Sequence, residues 1–251
     1  MVAPEVVVWA ADGKPLPFLS YGARVAALLR RAGGHVRVVP YRRRALTPTE
    51  LAAPVHVLSG GETSSFATDE VTLRALTDLR TVLERAWRGE ATVLGICLGS
   101  QLIARAIDPT LPISYPDGGM EAGLCTVEQT DGFGALRVAE LHYEQIDPSF
   151  ATVPGVTVTH TNAHSPVQGF RWGDSVFGYQ FHPEWDVADA AQVLRRHIGL
   201  VAERCADPAA AFASVDPDVT VLGGPAWSPW TAEELLAEPA LAQLGLRPAA
   251  A

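Results

Sequence analysis

Gly95-Ile96-Cys97-Leu98-Gly99-Ser100-Gln101 sets one cysteine between two glycines. An apolar run, Thr92-Val93-Leu94, comes before it, and a helical apolar pattern, Leu102 to Ile107, follows. That context predicts strand, sharp turn, helix. A side chain at such a turn stands above the strand ends on a strained backbone. Flanking glycines remove the Cβ atoms that so tight a turn cannot house. The helix begins at the cysteine, so its N-terminal dipole is expected to favour the thiolate. The chemistry this suits is attack by sulfur on an electrophilic carbon.

A cysteine nucleophile needs a base and a group that orients the base. Gly178-Tyr179-Gln180-Phe181-His182-Pro183-Glu184 supplies both. His182 ends an aromatic run that reads as a strand. Glu184 lies two residues on, and residues i and i+2 of an extended chain share a side. Pro183 between them biases His182 toward extended backbone. A carboxylate so placed accepts from one imidazole nitrogen, sets the tautomer and leaves the other nitrogen for the sulfur. Ser59-Gly60-Gly61 follows a third apolar run and is expected at the same sheet edge. The N–H groups of Gly61 and Leu98 form the expected oxyanion site.

The elements that must position these residues alternate through the first half. Val6–Ala10, His35–Val39, Val55–Leu58 and Thr92–Ile96 read as strands. Tyr21–Arg31 and Glu70–Trp87 read as helices, the second with Val71, Leu73, Leu76, Leu79, Leu83 and Trp87 as its apolar stripe. Alternation of this kind predicts an α/β fold. Its sheet is open and mostly parallel, with helices on both faces and function at the carboxyl ends of the strands. Between residues 121 and 181, short strands separated by Gly, Asp and Pro turns predict an antiparallel extension. Residues 187–205 return to helix. Residues 1–206 are expected to form one domain. Residues 207–251 are expected to form an Ala/Pro-rich tail with a short helix capped by Thr231 and Glu234. Trp227 and Trp230 are expected to pin that tail.

Composition excludes several classes of function. The chain has 251 residues, 48% of them hydrophobic, which is ample for a sizeable core. Its formal net charge of −9 argues against a nucleic-acid or anionic-membrane surface. Arg42-Arg43-Arg44 is a local exception that reads as a solvated turn. Lys14 is the sole lysine, so Schiff-base and P-loop chemistry have almost no candidate. The three cysteines, Cys97, Cys125 and Cys205, form no Cys-x-x-Cys pair, and no metal site or other cofactor is expected. His160 and His164, near Asn162, are expected to lack a nearby acidic partner and read as a polar hairpin. No apolar run reaches membrane-spanning length and no secretory leader is evident, so a reducing cytoplasm is the expected setting.

Gly-x-Cys-x-Gly-x-Gln, the upstream Ser-Gly-Gly and the downstream Gln-Phe-His-Pro-Glu together resemble the class I, triad-type glutamine amidotransferases. The resemblance is to the stand-alone type, similar to the glutaminase domain of GMP synthase. Glu121-Ala122-Gly123, Gln168-Gly169-Phe170-Arg171 and the 141–146 segment add to a resemblance that covers about residues 5–200. It implies hydrolysis of the glutamine side-chain amide through a γ-glutamyl thioester on Cys97, with His182 as base and acid and Glu184 as its orienter. It implies a substrate wall made by Gly60, Gln101, His142, Tyr143 and Glu144, and transfer of ammonia to a separate synthetase subunit. The chain departs from the family pattern at Glu62, where proline is usual, at Tyr143, where glycine is usual, and at Asp108-Pro109. Glu62 and Tyr143 favour a second reading, an independent hydrolase or transferase acting on a γ-glutamyl amide or other small amide. A third is an inactive binding protein on the same fold.

Overall fold

A computed structural model describes residues 5–12, 20–130 and 134–216. The tail beyond 216, with Trp227, Trp230 and the expected 231–234 cap, lies outside the described residues, as does Lys14. The first half runs β1 (Glu5–Ala10), α1 (Tyr21–Arg31), β2 (His35–Pro40), α2 (Pro48–Leu51), β3 (Val55–Leu58), α3 (Glu70–Trp87), β4 (Thr92–Ile96) and α4 (Leu98–Ile107). The second half runs β5 (Glu121–Gln129), β6 (Ala135–His142), a 3-10 turn (Pro148–Thr152), β7 (Val156–Thr161), β8 (Gly169–Trp172), β9 (Val176–Tyr179), α5 (Val187–Arg196), α6 (Ile198–Arg204) and α7 (Pro208–Ser214).

Nine strands form one sheet in the order β2-β1-β3-β4-β9-β8-β7-β5-β6. The five from β2 to β9 run parallel. The pairings from β9 through β8, β7 and β5 to β6 are antiparallel. Successive β1 residues point to opposite sides. Val7 and Trp9 pack with buried residues of α3 and α4, while Val6 and Val8 pack with Val25, Leu28 and Leu29 of α1. Because β1, β3, β4 and β9 are parallel, their carboxyl ends share one edge. Ala11, Ser59, Cys97 and the segment leading to His182 emerge there.

Three local expectations are revised. The buried stripe of α3 is Thr72, Ala75, Leu76, Leu79, Val82, Leu83 and Ala86. Leu73 and Trp87 are 46% and 60% exposed, since 3.6 residues per turn carries both off the stripe and small alanines take its centre. The helix expected over 187–205 breaks at His197, which ends α5 and opens α6. Cys205 therefore ends α6 and bridges to Gly119 rather than lying inside a helix. The α7 helix packs on β5, with the Ser214 hydroxyl accepting from the Leu124 N–H at 2.8 Å. Among the described residues, no helix is long and apolar enough to cross a membrane.

The elbow at residue 97 depends on atomic clearance. A Cβ on Gly99 would lie 2.4 Å from the Leu58 carbonyl oxygen, and one on Gly95 would lie 2.6 Å from the Gly99 carbonyl carbon. Neither backbone neighbour can rotate away. Gly99→Ala is therefore expected to destabilise by about 3 kcal/mol. On a chain of this size that lowers Tm by roughly 6–12 °C. A thermal melt within 2 °C of wild type (roughly 1 kcal/mol or less) would refute the clearance argument.

Candidate active site

Cys97 has φ 49° and ψ −110°, the sole non-glycine among the described residues with positive φ. Such a conformation costs of order 1–3 kcal/mol and persists only where its surroundings impose it. Here the Cys97 N–H donates to the Tyr179 carbonyl at 2.7 Å, and the Gln101 N–H donates to the Cys97 carbonyl at 3.1 Å. The Ser100 hydroxyl donates to the same carbonyl at 2.7 Å.

His182 and Glu184 meet as their spacing predicts. His182 Nδ1 lies 2.8 Å from Glu184 Oε1, with both side chains essentially sealed from solvent. The imidazole lies flat on the Trp185 ring, centroids 3.5 Å apart and 2° from parallel. Gly60 also comes so close to the ring that a Cβ there would lie 2.7 Å from His182 Cε1. Gly60 thus lies against the imidazole, not among the cleft-lining residues. The His182 N–H donates to the Ala139 carbonyl at 2.9 Å, which ties this segment to β6.

A cleft of about 390 Å³ opens over Cys97, lined by Gly61, Leu98, Gln101, Leu141, His142, Tyr143 and Glu144 among others. Gly61 and Leu98 are brought together, since a Gly61 Cβ would lie 2.8 Å from Leu98 Cδ2. Gln101 Nε2 donates to the Glu144 carbonyl at 2.8 Å and to Gln180 Oε1 at 3.3 Å. The Gln180 amide nitrogen is 3.9 Å from the Cys97 sulfur. Glu144 uses its carboxylate to accept from the Ser65 N–H and hydroxyl, joining the 59–66 loop to the 142–144 wall. Tyr143 is clamped between Tyr115, at 4.8 Å, and the Arg204 guanidinium, at 4.4 Å.

His142 lines the cleft, yet its ring nitrogens are engaged elsewhere. Nδ1 is 3.1 Å from the Glu144 carbonyl and Nε2 is 3.1 Å from Glu121 Oε2. Burial works to raise the Glu121 carboxyl, but its hydrogen bond from His142, that residue's charge and the Asn162 amide hold it below its usual value. The absence of an acid near the 160–164 hairpin is thus corrected, because Asn162 Nδ2 donates to Glu121 Oε1 at 2.6 Å across 41 residues of sequence. Glu140 is fully buried and pushed well above the usual carboxylate range by burial and by Glu121. Tyr21, Met120 and Glu140 were missed in the sequence because none sits in a motif, and Gln180, though the first residue of Gln-Phe-His-Pro-Glu, carries no sign of a role in that spacing. Tyr21 reaches the cleft because Asp12 caps α1, accepting from the Tyr21 N–H at 3.0 Å.

The expected thiolate is corrected. Burial raises the Cys97 thiol far above its usual value, and the Glu140, Glu184 and Glu144 carboxylates add to it. The Leu98 N–H opposes them and loses. One N–H at a helix start is outweighed by desolvation of a sulfur with three acids nearby. In the resting protein Cys97 is a neutral thiol that a base must deprotonate. Its alkylation by iodoacetamide is therefore expected to rise about tenfold per pH unit from pH 7 to 9 without levelling. A plateau below pH 8 would contradict this, since the unperturbed thiol value is about 8.5.

Residues 18–198 match the model of the class I glutamine amidotransferases. The chain belongs to that family. The match spans more than half of the 251 residues and contains Cys97, His182 and Glu184. This family member is 26% identical over 201 residues to "GMP synthase [glutamine-hydrolyzing]" from Parafrankia sp. (strain EAN1pec). That alignment covers 76% of this chain and 35% of the relative, so the chain spans about a third of that protein's length. A glutamine amidotransferase from Thermotoga maritima superimposes with TM-score 0.66 at 18% identity, covering 97% of this chain and 98% of that one. One from Methylobacillus flagellatus gives TM-score 0.66 at 17% identity, with coverage of 100% and 98%. A putative GMP synthase subunit from Thermoplasma acidophilum gives TM-score 0.55 at 23% identity, covering 80% of this chain and 95% of that one. At these identities the structural matches bear on the fold alone.

Proposed function

We propose that this amidotransferase hydrolyses the side-chain amide of glutamine through a thioester on Cys97 and passes the ammonia to a separate synthetase. The observation that carries the reading is the buried His182–Glu184 pair on the strand edge that also presents a strained cysteine to a cleft. In the first step His182 Nε2 takes the thiol proton while sulfur bonds to the amide carbon. The carbonyl oxygen becomes an oxyanion, and the Gly61 and Leu98 N–H groups receive it, each worth roughly 3–4 kcal/mol. His182 then gives its proton to the nitrogen, the C–N bond breaks and ammonia leaves. Water attacks the thioester as His182 takes its proton, the C–S bond breaks, His182 returns that proton to the leaving sulfur, and glutamate departs.

Gln101, Tyr143 and Glu144 line the cleft, and in this reading the 142–144 segment meets the amino-acid end of glutamine. With both ring nitrogens of His142 engaged, the 142–144 segment serves the substrate through its backbone. The GMP synthase relative carries about two thirds of its length outside the match, and in this reading a separate synthetase takes the ammonia. A reducing, cytoplasmic setting suits a cysteine that must stay a thiol.

Two side chains at the cleft favour the alternative, a hydrolase of γ-glutamyl amides. Glu62 lies 3.3 Å from Arg196 and 3.5 Å from His197 on the cleft wall, and Tyr143 is held in place opposite. Mass spectrometry of ammonia or amine release from glutamine and a panel of γ-glutamyl amides decides between the two. The proposal expects glutamine to be cleaved in preference to every N-substituted amide. A substituted amide turned over faster by the protein alone would replace it with the alternative.

A further inference from the structure

Register gathers three buried metal-ligating side chains on one face of the β5–β6 hairpin. Glu121 pairs with His142 across the strands, and Glu140, two residues before His142, shares its face. One ligand atom from each of Glu121, Glu140 and His142 lies within 4.8 Å of the others. The cross-strand neighbour of Glu140 is Gly123, which has no side chain to pair with it. Both Glu140 oxygens are buried without a hydrogen-bond partner, although an unmet buried carboxylate is among the costliest groups a fold can hold.

We propose that Glu121, Glu140 and His142 form a binding site for a divalent transition-metal cation, zinc by its donor set. In a tetrahedral zinc site with bonds of about 2.0–2.1 Å, neighbouring ligand atoms lie about 3.3–3.4 Å apart. His142 Nε2 lies 3.1 Å from Glu121 Oε2 and 3.5 Å from Glu140 Oε2, so two edges of that tetrahedron are already near length. The surrounding hydrogen bonds follow the pattern that orients metal ligands. His142 presents Nε2 to the site while Nδ1 donates to the Glu144 carbonyl at 3.1 Å. Glu121 accepts from Asn162 at 2.6 Å and from Gln168 at 2.7 Å. Two carboxylates and an imidazole balance a divalent charge and satisfy the orphaned Glu140. Calcium or magnesium would instead need six or more oxygens. The cation joins the start of β5 to the end of β6 and, through His142, braces the 142–144 wall.

The test uses the full chain, stripped with a chelator and titrated with zinc sulfate by calorimetry, with thermal melts run with and without zinc. Wild type is expected to bind one equivalent and to melt higher with zinc. Glu140→Gln keeps the shape and removes the ligand carboxyl, so without metal it is expected to melt close to or above the stripped wild type. It is expected to bind zinc about 100-fold more weakly or worse, at least the loss seen for groups that merely support a ligand. Wild type without a saturable site, or Glu140→Gln with unchanged affinity and melting response, would overturn the assignment. Zinc held by cysteines elsewhere would give that second result. None of these readouts requires amide hydrolysis.

Discussion

Cys97→Ala is expected to abolish glutamine hydrolysis, by about 10⁴-fold or more, while the fold survives. The size follows from what is lost. Removing a nucleophile leaves only binding and the oxyanion donors, which in comparable acyl-transfer sites retain a small residue of the rate. The survival follows from what is kept. Alanine retains the Cβ, so it occupies the same positive-φ backbone at the same strain. The three hydrogen bonds to the Cys97 backbone that hold it at the start of α4 do not involve sulfur. The contacts sulfur does make are long, 4.0 Å to the Leu141 carbonyl and 3.9 Å to the Gln180 amide. Loss of one small buried group should cost roughly 1 kcal/mol, a few degrees of Tm. Ammonia release and a thermal melt on the same preparation separate the two effects. A well-folded Cys97→Ala protein with more than about 1% of wild-type turnover would remove Cys97 from the mechanism, because a nucleophile's loss costs far more.

The features legible in the sequence were those written in neighbouring residues. β3, α3 and β4 have the bounds their patterns predict. The elbow could be read because Gly95 and Gly99 must lack a Cβ where backbone approaches within 2.6 Å. The His182–Glu184 bond could be read because extended spacing alone brings i and i+2 together. What stayed hidden depends on partners far along the chain. Glu140 acquires its character from burial and from Glu121, nineteen residues away and diagonal to it only once β5 and β6 pair. Gln180 reaches Gln101 across 79 residues. The charge state of Cys97 was misjudged for the same reason. The helix start is local and visible, whereas burial and the three acids that outweigh it are assembled by the sheet. The short α2 and the 3-10 turn were missed because each rests on one cap, Thr47 and Asp147, rather than on a periodic pattern.

Glu184→Gln is expected to lower kcat by about 10²–10⁴-fold, large yet less than the loss at Cys97. The substitution changes almost no volume, and Glu184 Oε1 has one buried partner, His182 Nδ1, at 2.8 Å. A carboxylate there accepts from Nδ1–H and leaves the lone pair on Nε2, the nitrogen that must take the thiol proton. A glutamine amide turned the other way donates to Nδ1, which moves the imidazole proton to Nε2 and blocks it as a base. Orientation of the ring is kept separately, by its stack on Trp185 and the close backbone at Gly60. The variant therefore isolates the tautomer from the geometry. kcat should fall while KM for glutamine holds, because His182 and Glu184 do not line the substrate cleft. Iodoacetamide labelling at pH 9 should not fall and should rise modestly, since it needs no proton transfer to His182 and the Glu184 charge that helps raise the thiol is gone. A Glu184→Gln enzyme within threefold of wild-type kcat (about 0.7 kcal/mol) would remove tautomer control from the mechanism. It would leave His182 as a base held by packing alone.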